Sequence, residues 1–361
     1  MKKILTITVP AVLLLFAACQ NTIKYEFDPN DGKITILGQL STVDKEHSLF
    51  LSMSYPDRID SLPDATVYCY VNGERHQATK AHPGYEWQYD PVTYGTILVP
   101  IKNPYTEYRF QADFKPGDKV RIEASRGNQD AWTELEVPQP GTLVSADTLT
   151  VVKSSVYQDL EGAETYEQEY LEFTVSLKDA GGIDNFYSLD AEQHKVIRIS
   201  SQEGTEEEFQ DYTLDYDTFH DLVLEDGYSS GVGNLFEDLL PVNYTHCFSD
   251  RMFKDKDVTV KFYIPTYFIK EYPYYYDAED VEVDLTLKLR FKSFDRTFYN
   301  YLRAINNMMC YGYDVNPIVE PTMLPNNVKG GMGMVTVAAE SAYDIVFPTK
   351  VYHIDNNYYV Y

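Results

Sequence analysis

Three features of the sequence predict a mainly β protein. Strand-length runs alternate apolar and polar residues with period two, the aromatic residues are dominated by 32 Tyr against 2 Trp, and only one segment has helical periodicity. Tyr suits a half-buried pleated surface, and period-two alternation puts one set of side chains on a core and the other in water. The expected architecture is an immunoglobulin-like or prealbumin-like β-sandwich over residues 33–140. A larger antiparallel β-rich domain over 141–361 follows, with one packed α-helix near 293–310.

Residues 1–18 read as an export signal. Lys2 and Lys3 precede an apolar run over 4–16, and Ala17 and Ala18 lead into Cys19. The run is too short to cross a hydrocarbon core, which needs about 20 apolar residues, and it matches the apolar region of a signal peptide. A thiol at the cleavage point is the group that lipoprotein maturation acylates, so Cys19 is the expected lipidation site, although Phe16 stands where Leu is usual. Residues 19–32 form a polar tether. Removing 18 of 361 residues leaves 343, and losing two of 30 basic residues takes the formal charge from −26 to −28.

Runs at 34–40, 48–54 and 65–71 open the sandwich. Tyr108, Phe110, Ala112 and Phe114 alternate with polar residues, as do Val120, Ile122 and Ala124. Between these runs lies Lys115-Pro116-Gly117-Asp118, where Pro presets φ and Gly supplies φ > 0, which predicts a hairpin joining the two strands. A strand over 132–137 ends at Pro138-Gln139-Pro140-Gly141, the expected domain boundary. In the second part Leu171, Phe173, Val175 and Leu177 share one face. The clearest alternation is Val281, Val283, Leu285, Leu287, Leu289 and Phe291, as in a sheet with one wet face. Ser293 is placed to cap a helix in which Phe294, Phe298, Tyr301, Leu302, Ile305 and Met309 recur on one side. The acidic stretch 202–217 lacks periodicity and reads as a solvated loop or insertion.

The acidic balance leaves no basic footprint for nucleic acid. Cys69 alternates with Ala65, Val67 and Val71 and so points into a core. Cys247 and Cys310 are available for a disulfide, and no CxxC pair indicates zinc. Gly227-Tyr228-Ser229-Ser230-Gly231 matches the nucleophile-elbow pattern, with Asp250 or Asp314 and His246 or His353 downstream. The βα alternation of an α/β-hydrolase is missing, so the plainer reading is a Gly-Ser loop. Asp211, Asp215 and Asp217 offer oxygen ligands for calcium without EF-hand spacing. Gly330, Gly331 and Gly333 permit close backbone approach, with 334–338 rejoining a sheet; the Lys-Ser/Thr and helix of a phosphate loop do not follow. Tyr272, Tyr274, Tyr275 and Tyr276, around Pro273, form the leading contact surface. Aromatic rings stack on sugars or anchor protein interfaces while their hydroxyls stay wet. Packing of the same cluster on a neighbouring sheet is the structural alternative. No catalytic residue and no cofactor is assigned.

Several pieces together resemble a known family: the cysteine followed by GQLS, the segment DKVRIEAS, the Val-Pro-Gln-Pro boundary, VDLTLKLRFKSFDRTFYNYLRAINN and EPTMLPNNVKGGMGMVTV. They are similar to a Bacteroidota outer-membrane lipoprotein family catalogued as a domain of unknown function, often encoded beside TonB-dependent transporters. The resemblance spans nearly the whole mature chain, and its most specific parts are Tyr299-Asn300-Tyr301-Leu302 and the segment 325–333. It implies a lipid-anchored, non-enzymatic accessory of a nutrient-uptake system, bound to outer-membrane lipid through Cys19 and partnered with a transporter. A structural surface protein of fimbrillin or adhesin type is the second expectation, and a surface hydrolase using Ser229 the third.

Overall fold

The computed structural model describes residues 31–82, 85–90, 95–100, 103–158, 163–201, 204–228, 242–269, 280–311 and 324–353. Cys19, Ser229, Asp314 and the tyrosines at 272, 274, 275 and 276 lie outside them.

The first ten strands are β1 (Lys33–Ser41), β2 (Glu46–Ser54), β3 (Ile59–Ser61), β4 (Thr66–Val71), β5 (Glu74–Lys80), β6 (Tyr85–Asp90), β7 (Gly95–Pro100), β8 (Thr106–Gln111), β9 (Lys119–Arg126) and β10 (Gln129–Glu136). Hydrogen bonding runs in the order β10-β9-β4-β5-β8-β2-β1, with β6 and β7 as a separate ribbon. β5 follows β4 over five pairs but touches β8 at only two, Thr79 with Arg109 and Lys80 with Tyr108, so the sheet folds over there. The two layers enclose one core, in which Ile34, Ile36, Leu49 and Leu51 meet Val67, Cys69, Val120 and Ile122. Tyr108 pins the layers from inside: its hydroxyl donates to the Leu62 carbonyl at 2.8 Å and accepts from the Ala65 amide at 3.0 Å.

The turn at Lys115–Asp118 forms, with the Asp118 amide bonded to the Lys115 carbonyl at 3.0 Å and Gly117 at φ +86°. It does not make the expected hairpin. β8 pairs with β2 and β5, whereas β9 pairs with β4 and β10. Turn residues set only the local reversal, and Ala112 and Phe114 stay buried as the chain crosses between layers. A true hairpin nearby is β4–β5, whose Asn72-Gly73 pair at φ +50° and +88° has the signs a two-residue type I′ loop requires.

The second part contains β11 (Thr142–Gln158), β12 (Ala163–Lys178), β13 (Phe186–Ser201), β14 (Gly204–Leu214), the one-turn helix α1 (Leu222–Glu225), β15 (Cys247–Ser249) and β16 (Asp257–Pro265). The short helix α2 (Thr266–Ile269), β17 (Asp280–Phe294), helix α3 (Arg296–Tyr311), β18 (Met332–Val346) and β19 (Lys350–His353) complete it. A three-stranded sheet, β11-β12-β16, packs on the sheet β18-β17-β13-β14. Phe173, Val175 and Phe262 from the first meet Leu189, Leu287 and Phe291 from the second, and Phe173 stacks on Phe262 at 4.6 Å.

β18 belongs to both parts. Its first half lies parallel to β1, from Thr35 opposite Met332 to Ser41 opposite Ala338, and its second half is antiparallel to β17. The expected close approach at the glycines is present: a Cβ on Gly331 would fall 2.3 Å from the Ile34 carbonyl oxygen, and one on Gly333 would fall 2.0 Å from that of Ile36. A strand, not a helix, follows them. Asn327 holds the strand in register, donating from Nδ2 to the Val335 carbonyl at 2.7 Å and accepting from its amide at 3.0 Å.

Two further expectations need correction, and the open question of a Cys247–Cys310 disulfide is answered. Most of the acidic stretch is a strand, because β14 satisfies its backbone against β13 from Ala191–Leu214 to Ser201–Gly204. It is the sheet edge and needs no apolar face, and charges such as Glu207, paired with Arg198 at 2.9 Å, suit an exposed edge. Helix α3 is capped by Asp295, whose Oδ1 accepts from the amides of Thr297 at 2.7 Å and Phe298 at 3.1 Å. Ser293 is still in the β17 ladder, and its Oγ accepts from the Gly141 amide. The helix buries Phe298, Tyr299, Ala304 and Asn306, while Met309 faces solvent at 58% exposure. Cys247 and Cys310 are free thiols. The thiol of Cys310 donates to the Val242 carbonyl at 3.3 Å, and that of Cys247 lies 3.1 Å from Thr245 Oγ1.

Candidate functional site

Between β14 and α1 the chain crosses the end of the second core. Asp217 and Tyr263 exchange backbone hydrogen bonds at 2.9 and 2.8 Å, which fastens this crossing to β16. Asp221 holds the far side: its Oδ1 caps α1 at the amides of Val223 and Leu224, both at 3.1 Å, and its Oδ2 accepts from the Lys261 amide at 2.7 Å. Tyr216 points inward, donates to the Leu189 carbonyl at 2.7 Å, and stacks on His246 with ring centroids 3.9 Å apart.

These contacts leave a recess of about 240 Å³, walled by residues 215–218 on one side, Val242, Asn243, Tyr244 and His246 on another, and Pro265, Tyr267 and Phe268 on a third. Its rim is aromatic and wet, with Tyr244 52%, Tyr267 60% and Phe268 46% exposed. Such rings offer apolar area at little conformational cost. Burial raises the carboxyl pKa of Asp217 and of Asp221 and lowers the His246 pKa below its ordinary value. A larger groove of about 540 Å³ runs along the outer face of β13, β14, β17 and β18. Its charges largely satisfy one another: Arg290 pairs with Glu192 at 2.7 Å and Glu340 at 3.2 Å, and His194 with Asp211 at 2.5 Å. The smaller recess is the better candidate, since among the described residues none of its lining side chains is held in an ion pair that binding would break.

His246 makes the recess sensitive to acid. Desolvation lowers the pKa of its ring in the folded protein, while the Asp190 and Asp215 carboxylates act in the opposite direction. The unfolded chain therefore binds the extra proton more readily, so stability is full above the ordinary histidine pKa of about 6.5 and falls as pH drops below it. One such group contributes a slope of at most about 1.4 kcal/mol per pH unit. His246→Asn, which tolerates the φ of +51° found there, is expected to flatten the pH dependence of urea unfolding between pH 5 and 7. An unchanged slope would assign the acid sensitivity elsewhere.

The fold separates the other residues singled out in the sequence. His246 stacks on Tyr216, and Asp250 accepts from the Asn185 amide at 2.9 Å, so both are engaged in packing. The side chain of His353 lies outside the description. Asp211 lines the charged groove while Asp215 and Asp217 line the recess, and no group of three metal-ligating side chains gathers among the described residues. Nor is any described helix long and apolar enough to cross a membrane. Tyr216, Tyr244, His246 and Tyr267 were not singled out as a group, because they come from separate segments. The one usable signal was the pair Tyr267-Phe268, just ahead of the tyrosine cluster at 272–276.

A family profile described as "Domain of unknown function (DUF4249)" matches residues 20–344. No curated protein matches the sequence. Among solved structures, a DUF4785-family protein from Legionella pneumophila aligns at 9% identity and a TM-score of 0.19, covering 72% of this chain and 52% of the other. The chain thus spans about half the length of that protein.

Proposed function

This chain belongs to the DUF4249 family of domains of unknown function, and we propose that it is a non-enzymatic, lipid-anchored binding protein of the outer membrane, an accessory of TonB-dependent nutrient uptake. The observation that carries the reading is the recess with its rim of exposed Tyr244, Tyr267 and Phe268, built at the end of a rigid double sheet. Exposed aromatic rings beside a concavity are what a recognition surface needs. The signal-like start and Cys19 support the anchor, since acyl chains on one residue exceed the two signals needed for stable attachment. The fimbrillin-type alternative requires a strand donated between subunits. The place beside β1 is filled by the chain's own β18, which favours a self-complete monomer.

Two measurements test this. Cys19→Ser protein is expected in the soluble fraction, and its retention in washed membranes would overturn the anchor. Affinity purification from detergent-solubilised membranes, with the neighbouring genes expressed, is expected to recover a transporter in near-stoichiometric amount. Recovery of the protein alone would sink the accessory role.

A further inference from the structure

Near Asp217, which lines the recess, three aromatic rings meet at right angles. Tyr170 and Phe219 lie 5.3 Å apart at 90°, Tyr170 and Tyr263 6.4 Å apart at 87°, and Phe219 and Tyr263 5.0 Å apart at 89°. Lys153, from the edge strand β11, places its ammonium 3.6 Å from the Tyr263 centroid and 4.1 Å from that of Phe219. Carboxylates stand beside the rings: burial, and then Asp217, raise the Tyr170 pKa, and burial, and then Glu172, raise that of Tyr263. A cation over such faces is held by the ring quadrupoles.

The lysine is a poor match for this box. An ammonium carries three donors, and among the described residues none accepts a hydrogen bond or forms an ion pair with Lys153 Nζ; Glu172 is already engaged by Lys261 at 2.6 Å. Desolvation accordingly lowers the Lys153 pKa. A quaternary ammonium has no donors to satisfy, and π faces alone suffice for it.

The wall at Phe219 is also strained into place. Phe219 and His220, at φ +41° and +74°, occupy the centre of a turn closed by the Asp221 amide on the Thr218 carbonyl at 3.1 Å. Positive φ at both central positions marks a type I′ turn, which favours Asn and Gly. A bulky ring there costs roughly 1–3 kcal/mol and persists when something in the site requires it.

We propose that Tyr170, Phe219 and Tyr263 form a cage for a small quaternary ammonium compound, which Lys153 plugs in the free protein and the ligand enters by displacing it. The proposal rests on the reading of this domain as a binding module and names a ligand class for it. Calorimetric titration of the purified full chain with choline chloride, against sodium chloride at equal ionic strength, tests it. Wild type is expected to bind saturably, and Lys153→Ala to bind at least about tenfold more tightly because the plug is gone. Adding Phe219→Gly, which suits the positive φ and so keeps the turn, is expected to reverse that gain. No saturable binding by Lys153→Ala, or binding indifferent to Phe219→Gly, overturns the cage. Binding by Lys153→Ala with none by wild type overturns the displacement. Recovery of a transporter alongside failed choline binding would defeat this inference alone, whereas choline binding without a transporter would defeat only the uptake role.

Discussion

Gly333→Ala is expected to destabilise the protein by about 3 kcal/mol or more, a large part of a typical folding free energy of about 5–15 kcal/mol. Two costs coincide at this position. Its φ of +119° lies where a Cβ is strained, and that Cβ would stand 2.0 Å from the Ile36 carbonyl oxygen and 2.8 Å from its carbon. The atoms in the way are backbone atoms of β1, held in register by Ile36 opposite Gly333 and by β2 on the far side. They cannot swing aside as a side chain would. Relief requires β1 and β18 to separate, and that seam joins the first sandwich to the strand that continues into the second. Gly73→Ala is the control: its φ is +88° and no atom lies within 4 Å of the added Cβ, so only conformational strain of about 1 kcal/mol applies. Urea denaturation of both variants decides the matter. Equal shifts for the two would mean that the β1–β18 seam yields easily and that the steric account is wrong.

That seam also marks where sequence reading stops. The alternation in β12 and β17 was legible because period two survives in any sheet, and Val281 through Phe291 are buried at every second position as the pattern requires. Pairing is different. Nothing in the pattern at 34–40 says that its neighbour lies about three hundred residues later, because apolar faces specify burial and not partners. The same limit explains the Lys115–Asp118 turn, whose chemistry was sound while its strands belonged to different layers. Asn72-Gly73, by contrast, carried a readable hairpin signal that was passed over. The acidic strand β14 escaped because an edge strand beyond the core has no reason to alternate. Of the candidate site, only Asp215, Asp217 and His246 stood out in the sequence, the two carboxylates as calcium ligands and the histidine as a triad partner. Tyr170, Tyr216, Phe219, His246, Tyr263 and Tyr267 come from β12, the crossing between β14 and α1, the residues before β15, β16 and α2, and convergence of that kind has no local signature.

Asp226→Ala is expected to cost about 2–4 kcal/mol, through a polar network that ties α3 to the floor of the site. Asp226 follows α1 at φ +46°, and its carboxylate is 5% exposed. It accepts from Ser249 Oγ at 2.9 Å, from Arg303 Nη1 at 3.1 Å and from the Tyr299 hydroxyl. Burial, and then that last hydrogen bond, raise the Tyr299 pKa. Arg303 also donates to the Asp226 carbonyl at 3.2 Å and lies over the Tyr228 ring at 4.5 Å. Deleting the carboxylate leaves the Tyr299 hydroxyl without its acceptor and Arg303 without its counter-charge, the guanidinium keeping only the residue-226 carbonyl at 3.2 Å and the Tyr299 hydroxyl at 2.9 Å. Breaking a fully buried pair costs about 3–5 kcal/mol. Arg303 retains a third of its exposure, so solvent returns part of that. Asp226→Asn keeps an acceptor and tolerates the left-handed backbone, and should cost less than half as much. If the loss comes from the stranded guanidinium, Arg303→Met in the Asp226→Ala background recovers stability; strict additivity of the two changes would refute the network. Because α1 is also held by Asp221, which closes the crossing beneath the recess and the cage, hydrogen exchange of residues 215–228 in Asp226→Ala should quicken well before global unfolding. Protection unchanged there would show that α3 and the site are mechanically independent.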